Sequence, residues 1–301
     1  MKPLQASSGD VIADRRADYA EMLFATGDLA AAVELMQGAL ELAPHWVFGW
    51  FRLGEMQEAL GDVDGAAAAW TRVLELEPAD RPGATLRLVL IGRAPPADAA
   101  PSAFVEALFD QYAGTFDTSL VGKLGYSAPD HLLEAIRAQG ERRFGLALDL
   151  GCGTGLMGEK LRPHVGRLEG YDLSAGMLRK AAEKGIYDHL GKADLSAFSY
   201  EGPKADLVVA ADVLIYLGAL DKVMATAAGL LEEGGLLAFT LEKLAGDGDF
   251  ALQPSRRYAH SQNYVRRLLE ANGLSLLSLE ERILRQDRGE PIVGLVVVAR
   301  R

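Results

Sequence analysis

The sequence predicts an α/β protein with an open, mainly parallel sheet, preceded by a small all-α domain. Three observations carry this. Residues 146–150 form a short apolar run containing Asp149, and glycines follow at every second position, Gly151, Gly153 and Gly155. An apolar run bounded by glycine reads as a strand buried on both faces, the habit of parallel sheets. Further apolar stretches end at acids, Asp172, Asp194 and Asp212. The N-terminal third repeats itself at an offset of 34 residues with helical periodicity, Gly27-Asp28 against Gly61-Asp62 and Pro44 against Pro78.

That repeat predicts helix–turn–helix units over about 13–46 and 47–80 and a capping helix over 82–91. Ala32 and Ala66 are small where paired helices would cross, and Pro44 and Pro78 end their helices. Trp50-x-x-Leu53-Gly54, followed by Ala66 and Pro78, resembles the tetratricopeptide repeat, although Arg16 and Ala20 stand at the Trp and Gly positions of the first unit. Two units are fewer than a free solenoid needs. The resemblance therefore implies packing on the rest of the chain or on a second copy. A peptide groove, a dimer surface and a support for substrate entry all stay open as its role. Trp50 and Trp70 are expected in the core, Trp46 and Phe48 on a freer face. The domain expectation is 1–92 for the repeats, a stiff proline-rich linker over 93–102, and 103–301 for the α/β domain.

The glycine loop suits two nucleotide cofactors. Its glycines permit positive φ and close approach of a ligand to the backbone, and the helix that follows points its first amides at the loop. A dinucleotide fingerprint requires one more residue before the third glycine, and Gly158 falls at neither required place. Asp149 would repel a pyrophosphate and attract an ammonium group. The segment resembles the first motif of the class I S-adenosylmethionine-dependent methyltransferases. The chain as a whole resembles bacterial methyltransferases with an N-terminal tetratricopeptide module.

The resemblance implies a Rossmann-like seven-stranded sheet with an antiparallel last strand, and S-adenosylmethionine as cofactor with S-adenosylhomocysteine as product. Cofactor contacts are expected from Asp149, Gly151, Cys152, Gly153 and Gly155. Asp172 and Leu173 would meet the ribose, with Ser174 capping the next helix. Met177 lies against the adenine or is plain core. Ala193, Asp194 and Leu195 would meet the adenine edge, unless Asp194 is a surface loop acid. Ala211 and Asp212 should lie beside the transferable methyl group, since ligands gather at the carboxyl ends of strands. Cys152 is a small residue fitted to a tight turn.

Residues 104–117 resemble the segment that closes over the cofactor in small-molecule methyltransferases, with Tyr112, Phe116 and Tyr126 as candidates; an ordinary amphipathic helix is the alternative. Helix is expected over 129–139 and 219–232, and strand over 205–211 and 236–241. A Gly/Asp-rich loop covers 245–254. A helix opens near Tyr264, and strands over 274–285 and 292–300 form a final hairpin. On the acceptor side, Tyr216, Arg257, Tyr258, His260 and Tyr264 could bind an anionic substrate and take a proton, or they form a helix N-terminus with solvated arginines.

Composition narrows the class. The 301 residues carry a net charge of −11 and are 49% apolar, so a nucleic acid or an anionic membrane is not expected as partner. No signal-peptide-like segment occupies 1–16, and Cys152 is the only cysteine, which fits a reducing cytoplasm. The five histidines show no ligand spacing, so no metal is expected. Asp212-Val213-Leu214-Ile215 stands where nitrogen-directed enzymes carry Asn-Pro-Pro-Tyr. The expectation is methyl transfer to a small-molecule acceptor of unknown identity. The alternatives are a non-enzymatic adaptor that retains the fold, or a protein-directed enzyme recruited through the repeats.

Overall fold

The computed structural model describes residues 7–118, 124–287 and 289–301. The chain divides into two units, Met1–Ala97 and Asp98–Arg301. The first holds helices α1 (Val11–Thr26), α2 (Leu29–Leu42), α3 (Val47–Leu60), α4 (Val63–Leu76) and α5 (Ala84–Leu90). Gly27 and Gly61 close α1 and α3 in the left-handed region, at φ +89° and +87°. The next residues, Asp28 and Asp62, cap α2 and α4 by accepting from the amides of Ala31 and Gly65. One dipeptide thus stops one helix and starts the next, the physical content of the 34-residue offset.

Alanines at 13, 17, 20, 32 and 39 are almost fully buried where α1 and α2 meet. A Cβ on Gly54 would overlap the Trp70 indole, whose Nε1 donates to the Phe51 carbonyl. Trp46 is buried, against the expectation of a freer position; it sits at the start of α3, pressed against Gly49. Trp50 is half-buried and donates to the Pro44 carbonyl.

The second unit contains α6 (Ser102–Tyr112), α7 (Ala128–Arg137), β1 (Phe144–Leu150), α8 (Leu156–Leu161), β2 (Val165–Asp172), α9 (Ala175–Lys184), β3 (His189–Lys192) and β4 (Ala205–Ala210). After these come α10 (Asp221–Leu230), β5 (Leu231–Lys243), β6 (Phe250–Leu252), β7 (Tyr258–His260), α11 (Gln262–Ala271), β8 (Ser275–Asp287) and β9 (Glu290–Arg300). Strands β3-β2-β1-β4-β5 are parallel, and β9 pairs antiparallel with both β5 and β8. The expected antiparallel strand is therefore present.

Among the described residues the sheet has nine strands rather than seven. Short β7 joins the end of β5, and β6 pairs with β7. β6 falls in the stretch expected to be loop and β7 just beyond it, because a three-residue strand is too short to show a period. Residues 98–101 belong to the second unit and are no free spacer: the Asp98 carbonyl accepts from Gly218 and Ala219, and Ala100 donates to Tyr216.

Alternate side chains feed two cores. Leu148, Val208 and Leu237 join one with α10 and α11, and Ala147, Leu207 and Leu236 join the other with α7 and α8. Both faces are covered, so ligand access falls to the carboxyl ends of the strands. Among the described residues no helix is long and apolar enough to cross a membrane.

Glycine to alanine inside a helix ordinarily gains about 0.5–1 kcal/mol. At Gly54 the indole reverses the sign: G54A is expected to lose about 1–3 kcal/mol, read by urea denaturation.

Candidate cofactor site

The loop after β1 is built by its glycines. Gly151, Gly153 and Gly155 have φ of +70°, +54° and +90°. A Cβ on Gly151 would overlap Val213, whereas one on Gly153 would meet nothing within 4 Å. The loop is therefore braced on one side and open on the other. The amides of Gly151 and Cys152 donate to the Tyr171 carbonyl at 2.7 and 3.0 Å, and Gly153 donates to Asp172 Oδ2 at 2.8 Å. Cys152 is buried, and burial together with the charges of Asp149 and Asp172 pushes its thiol far up, so it stays protonated.

Asp149, at the end of β1, is completely buried. Its Oδ2 accepts from the Tyr187 hydroxyl at 2.7 Å, while Oδ1 has no hydrogen-bond partner. Burial pushes the carboxyl up to about 7; the Tyr187 hydrogen bond opposes this and Asp172 adds to it. A buried carboxylate is normally paired. This one has a neutral donor and a like charge for neighbours.

Asp172, at the end of β2, accepts from Ser174 N through Oδ1 and from Gly153 N through Oδ2, which leaves lone pairs for further donors. Burial holds its carboxyl above the usual range. Leu173 beside it is half-buried, and Met177, in the first turn of α9, is wholly buried. Ala193 follows β3. Asp194 accepts from Ser102 Oγ at 2.5 Å and from the Ser196 amide and hydroxyl, so it is tied to α6 and to its own turn. Leu195 packs toward the α10–α11 core and Ala211 toward the other.

Helix α6 lies across these strand ends and is fastened at several. Asp110 accepts from Ser174 Oγ at 2.5 Å and Gly176 N at 2.8 Å. Glu106 pairs with Lys192. Asp117, beyond the helix, accepts from Thr154 Oγ1 in the glycine loop and pairs with Lys184. Phe109 meets Tyr216 edge-on at 5.4 Å and Phe116 at 6.0 Å, and the Arg256 guanidinium lies 4.7 Å over the Phe104 ring. Tyr112 is half-buried, its hydroxyl pushed up by burial and by Tyr216. The segment thus contacts the regions after β1, β2, β3, β4 and β5.

Past β4, Asp212 sits at φ +56° with its amide on Thr240 Oγ1. Arg285 of β8, 2% exposed at its side chain, places Nη1 at 2.6 Å from both Asp212 oxygens and donates Nη2 to Glu242. Arg257 lies 3.1 Å from Asp287, 3.8 Å from Glu242, and hydrogen-bonds Tyr216. Burial works against its charge, but Tyr216, Glu242 and Asp212 outweigh that and raise its pKa. Tyr126 is half-buried, and burial and then Asp212 push its hydroxyl far up.

The remaining acceptor-side candidates are placed otherwise than an open site requires. Tyr258 and His260 form β7 and are buried, with relative exposures of 1% and 0%. His260 Nε2 lies 3.0 Å from the Gly218 carbonyl, and burial drops its pKa to about 4, so the ring is neutral and enclosed. The Tyr264 hydroxyl accepts from Leu220 N and donates to Asp221, fastening α11 to α10. An enclosed ring at this position is not open to take an acceptor's proton. Arg257 is already matched by acids, which removes the solvated cation imagined for an anionic substrate.

Tyr187, Asp110, Glu242 and Arg285 were missed by the reading of the sequence. Arg285 reaches Asp212 across 73 positions and Tyr187 reaches Asp149 across 38, separations that carry no local pattern. Among the described residues no group of His, Cys, Asp and Glu is arranged to hold a metal ion.

Asp149 gives a pH signature. Its folded pKa of about 7 exceeds the unfolded value, so its ionisation costs stability, a cost absent at low pH and fully present above about 7. D149N removes it. The variant is expected to gain on the wild type by up to roughly 4 kcal/mol as pH rises from 4 to 8 in ligand-free protein, read by thermal melts.

Residues 148–237 match the family model described as a methyltransferase domain. The malonyl-[acyl-carrier protein] O-methyltransferase of Enterobacter lignolyticus strain SCF1 is 31% identical over 133 residues, which are 44% of this chain and 52% of that enzyme. The chain spans about half the length of the curated relatives it matches. The structure of the [4+2]-cyclase SpnF covers 68% of this chain and 97% of its own, at TM-score 0.54 and 18% identity. The DhpI–SAH complex covers 64% and 93%, at TM-score 0.50 and 22% identity. Residues 148–237 are thus similar to a methyltransferase domain, and the fold that contains them is shared with SpnF and DhpI.

Proposed function

We propose that this chain is an S-adenosylmethionine-dependent methyltransferase acting on a small-molecule acceptor. The observation that carries the reading is Asp149. It is a buried carboxylate with an orphaned oxygen and, among the described residues, no cation paired to it, set beside an open glycine loop. The α-ammonium of the cofactor's methionine portion supplies the missing charge and donor. Asp172 retains acceptor capacity for the ribose hydroxyls, and Ala193, Asp194 and Leu195 are assigned to the adenine edge, while Met177, wholly buried, serves as core behind it. The family match over 148–237 and the SAH named with DhpI support the same cofactor. The likeness to a cyclase shows that the fold alone does not fix the reaction, so the reading is placed on the site.

When bound, S-adenosylmethionine supplies an electrophilic methyl carbon on a sulfonium. The chain holds and orients it, and the α6 segment with Phe109, Tyr112, Phe116 and Tyr216 excludes water. Two groups that could take a proton are already committed: Arg285 engages both oxygens of Asp212, and His260, the acceptor-side candidate, is enclosed. Placement carries the rate, which favours an acceptor atom already nucleophilic when it arrives. The relative named for malonyl-[acyl-carrier protein] O-methylation is consistent with such an atom.

We infer that the first unit is a pair of tetratricopeptide-like repeats serving a protein partner or self-association. Its support is the α2/α4 correspondence, two 14-residue helices each entered through Gly-Asp.

Calorimetry tests the cofactor reading. S-adenosylmethionine and S-adenosylhomocysteine are expected to bind, and NAD not. Below pH 7 the carboxyl must lose a proton to receive the cation, so affinity should fall by up to about tenfold per pH unit, with proton release. Binding of neither nucleoside would refute the reading.

A further inference from the structure

Tyr187 lies in the turn between α9 and β3 and packs into a slot cut by three glycines. A Cβ on Gly155 would come within 3.0 Å of its ring, one on Gly170 within 2.8 Å, and one on Gly158 would overlap its hydroxyl. Gly155 also has its left-handed φ to explain it. Gly158 and Gly170 do not; they lie inside α8 and β2 with no positive φ, where glycine weakens the element. The ring is what they make room for.

The hydroxyl is oriented as well. Gly158 is the third residue of α8, so its amide has no partner within the helix; it lies beside the Tyr187 oxygen and works against the rise in the hydroxyl's pKa. The phenolic proton is then committed to Asp149 Oδ2, at 2.7 Å. The groups facing Asp149 are Tyr187 from the turn before β3, Asp172 from β2, Cys152 from the glycine loop and Tyr126 from the segment before α7. None is a cation. A lysine or arginine at 187 would neutralise the carboxylate that a cationic ligand needs. Phenylalanine would leave both oxygens bare.

We propose that Tyr187 is the positioning residue of the cofactor site: its hydroxyl fixes Asp149 through Oδ2 with a neutral donor, so that Oδ1 and the full negative charge are kept for the ligand's ammonium group. The proposal rests on the cofactor reading above. It gives the structural reason for Gly158, the glycine that fits no nucleotide fingerprint.

The test compares S-adenosylhomocysteine, which carries the ammonium group, with 5′-methylthioadenosine, which lacks it, by calorimetry from pH 6 to 9. Y187F should bind methylthioadenosine like the wild type, which also certifies its fold. It should bind S-adenosylhomocysteine roughly tenfold more weakly at pH 7, the loss of one hydrogen bond to a charged group. Its pH midpoint should move upward, with affinity recovering above it. D149N should bind S-adenosylhomocysteine weakly and without that pH midpoint. If Y187F does not fold, the double variant Y187F/D149N, freed of the charge the hydroxyl serves, should match D149N for both ligands. Equal weakening of both ligands by Y187F, an unmoved midpoint, or a double variant weaker than D149N toward S-adenosylhomocysteine would overturn the assignment. A wild type that binds methylthioadenosine at every pH but S-adenosylhomocysteine no better would contradict the Asp149 reading itself.

Discussion

A negative charge enclosed without a counter-charge is the constraint around which the second unit is arranged. Asp149 is fully buried, half satisfied, and neighboured by another carboxylate. Such a group is expensive unless something outside the chain completes it. The parallel sheet brings this about by topology: β1 is central, and its carboxyl end lies between those of β2 and β4. The glycine loop then removes side chains from the one direction in which a ligand can approach. The burial that costs stability in the free protein is the same burial that strengthens attraction for a cation.

The other charged network is built on the opposite plan. Asp212, Glu242, Arg285 and Arg257 largely satisfy one another, joining the segment after β4 to β5, β8 and the turn before β7. Breaking such a buried set strands charges, so it resists change, while its intact form adds little stability. It fixes the wall of the cleft beside the place proposed for the methyl group. Asp149 is left incomplete and Asp212 is completed; one is available to a ligand and the other is committed. Helix α6, tied to the ends of the strands through Ser102, Glu106 and Asp110, roofs the space between them.

What could be read from the sequence was what is local. Gly151, Gly153 and Gly155 with Asp149 lie within seven residues, and the strand, loop and helix they imply are all there. Gly27-Asp28 and Gly61-Asp62 announce helix ends because capping needs particular residues at particular places. The antiparallel last strand followed from the resemblance. Tyr187 and Arg285 were invisible because their meaning lies in partners 38 and 73 positions away. His260 and Tyr258 looked exposed and chemical in the sequence; three-residue strands gave no periodic sign that they would be drawn into the sheet. Trp46 was misplaced for a similar reason, since its burial depends on Gly49 one turn on making room.

The most direct measurement is a carbon-13 NMR titration of the Asp149 side-chain carboxyl, with and without S-adenosylhomocysteine. The account predicts a midpoint near 7 in the free protein and a fall of more than one pH unit when the ligand's ammonium group completes the carboxylate. A midpoint that stays where it was in the saturated complex would contradict it.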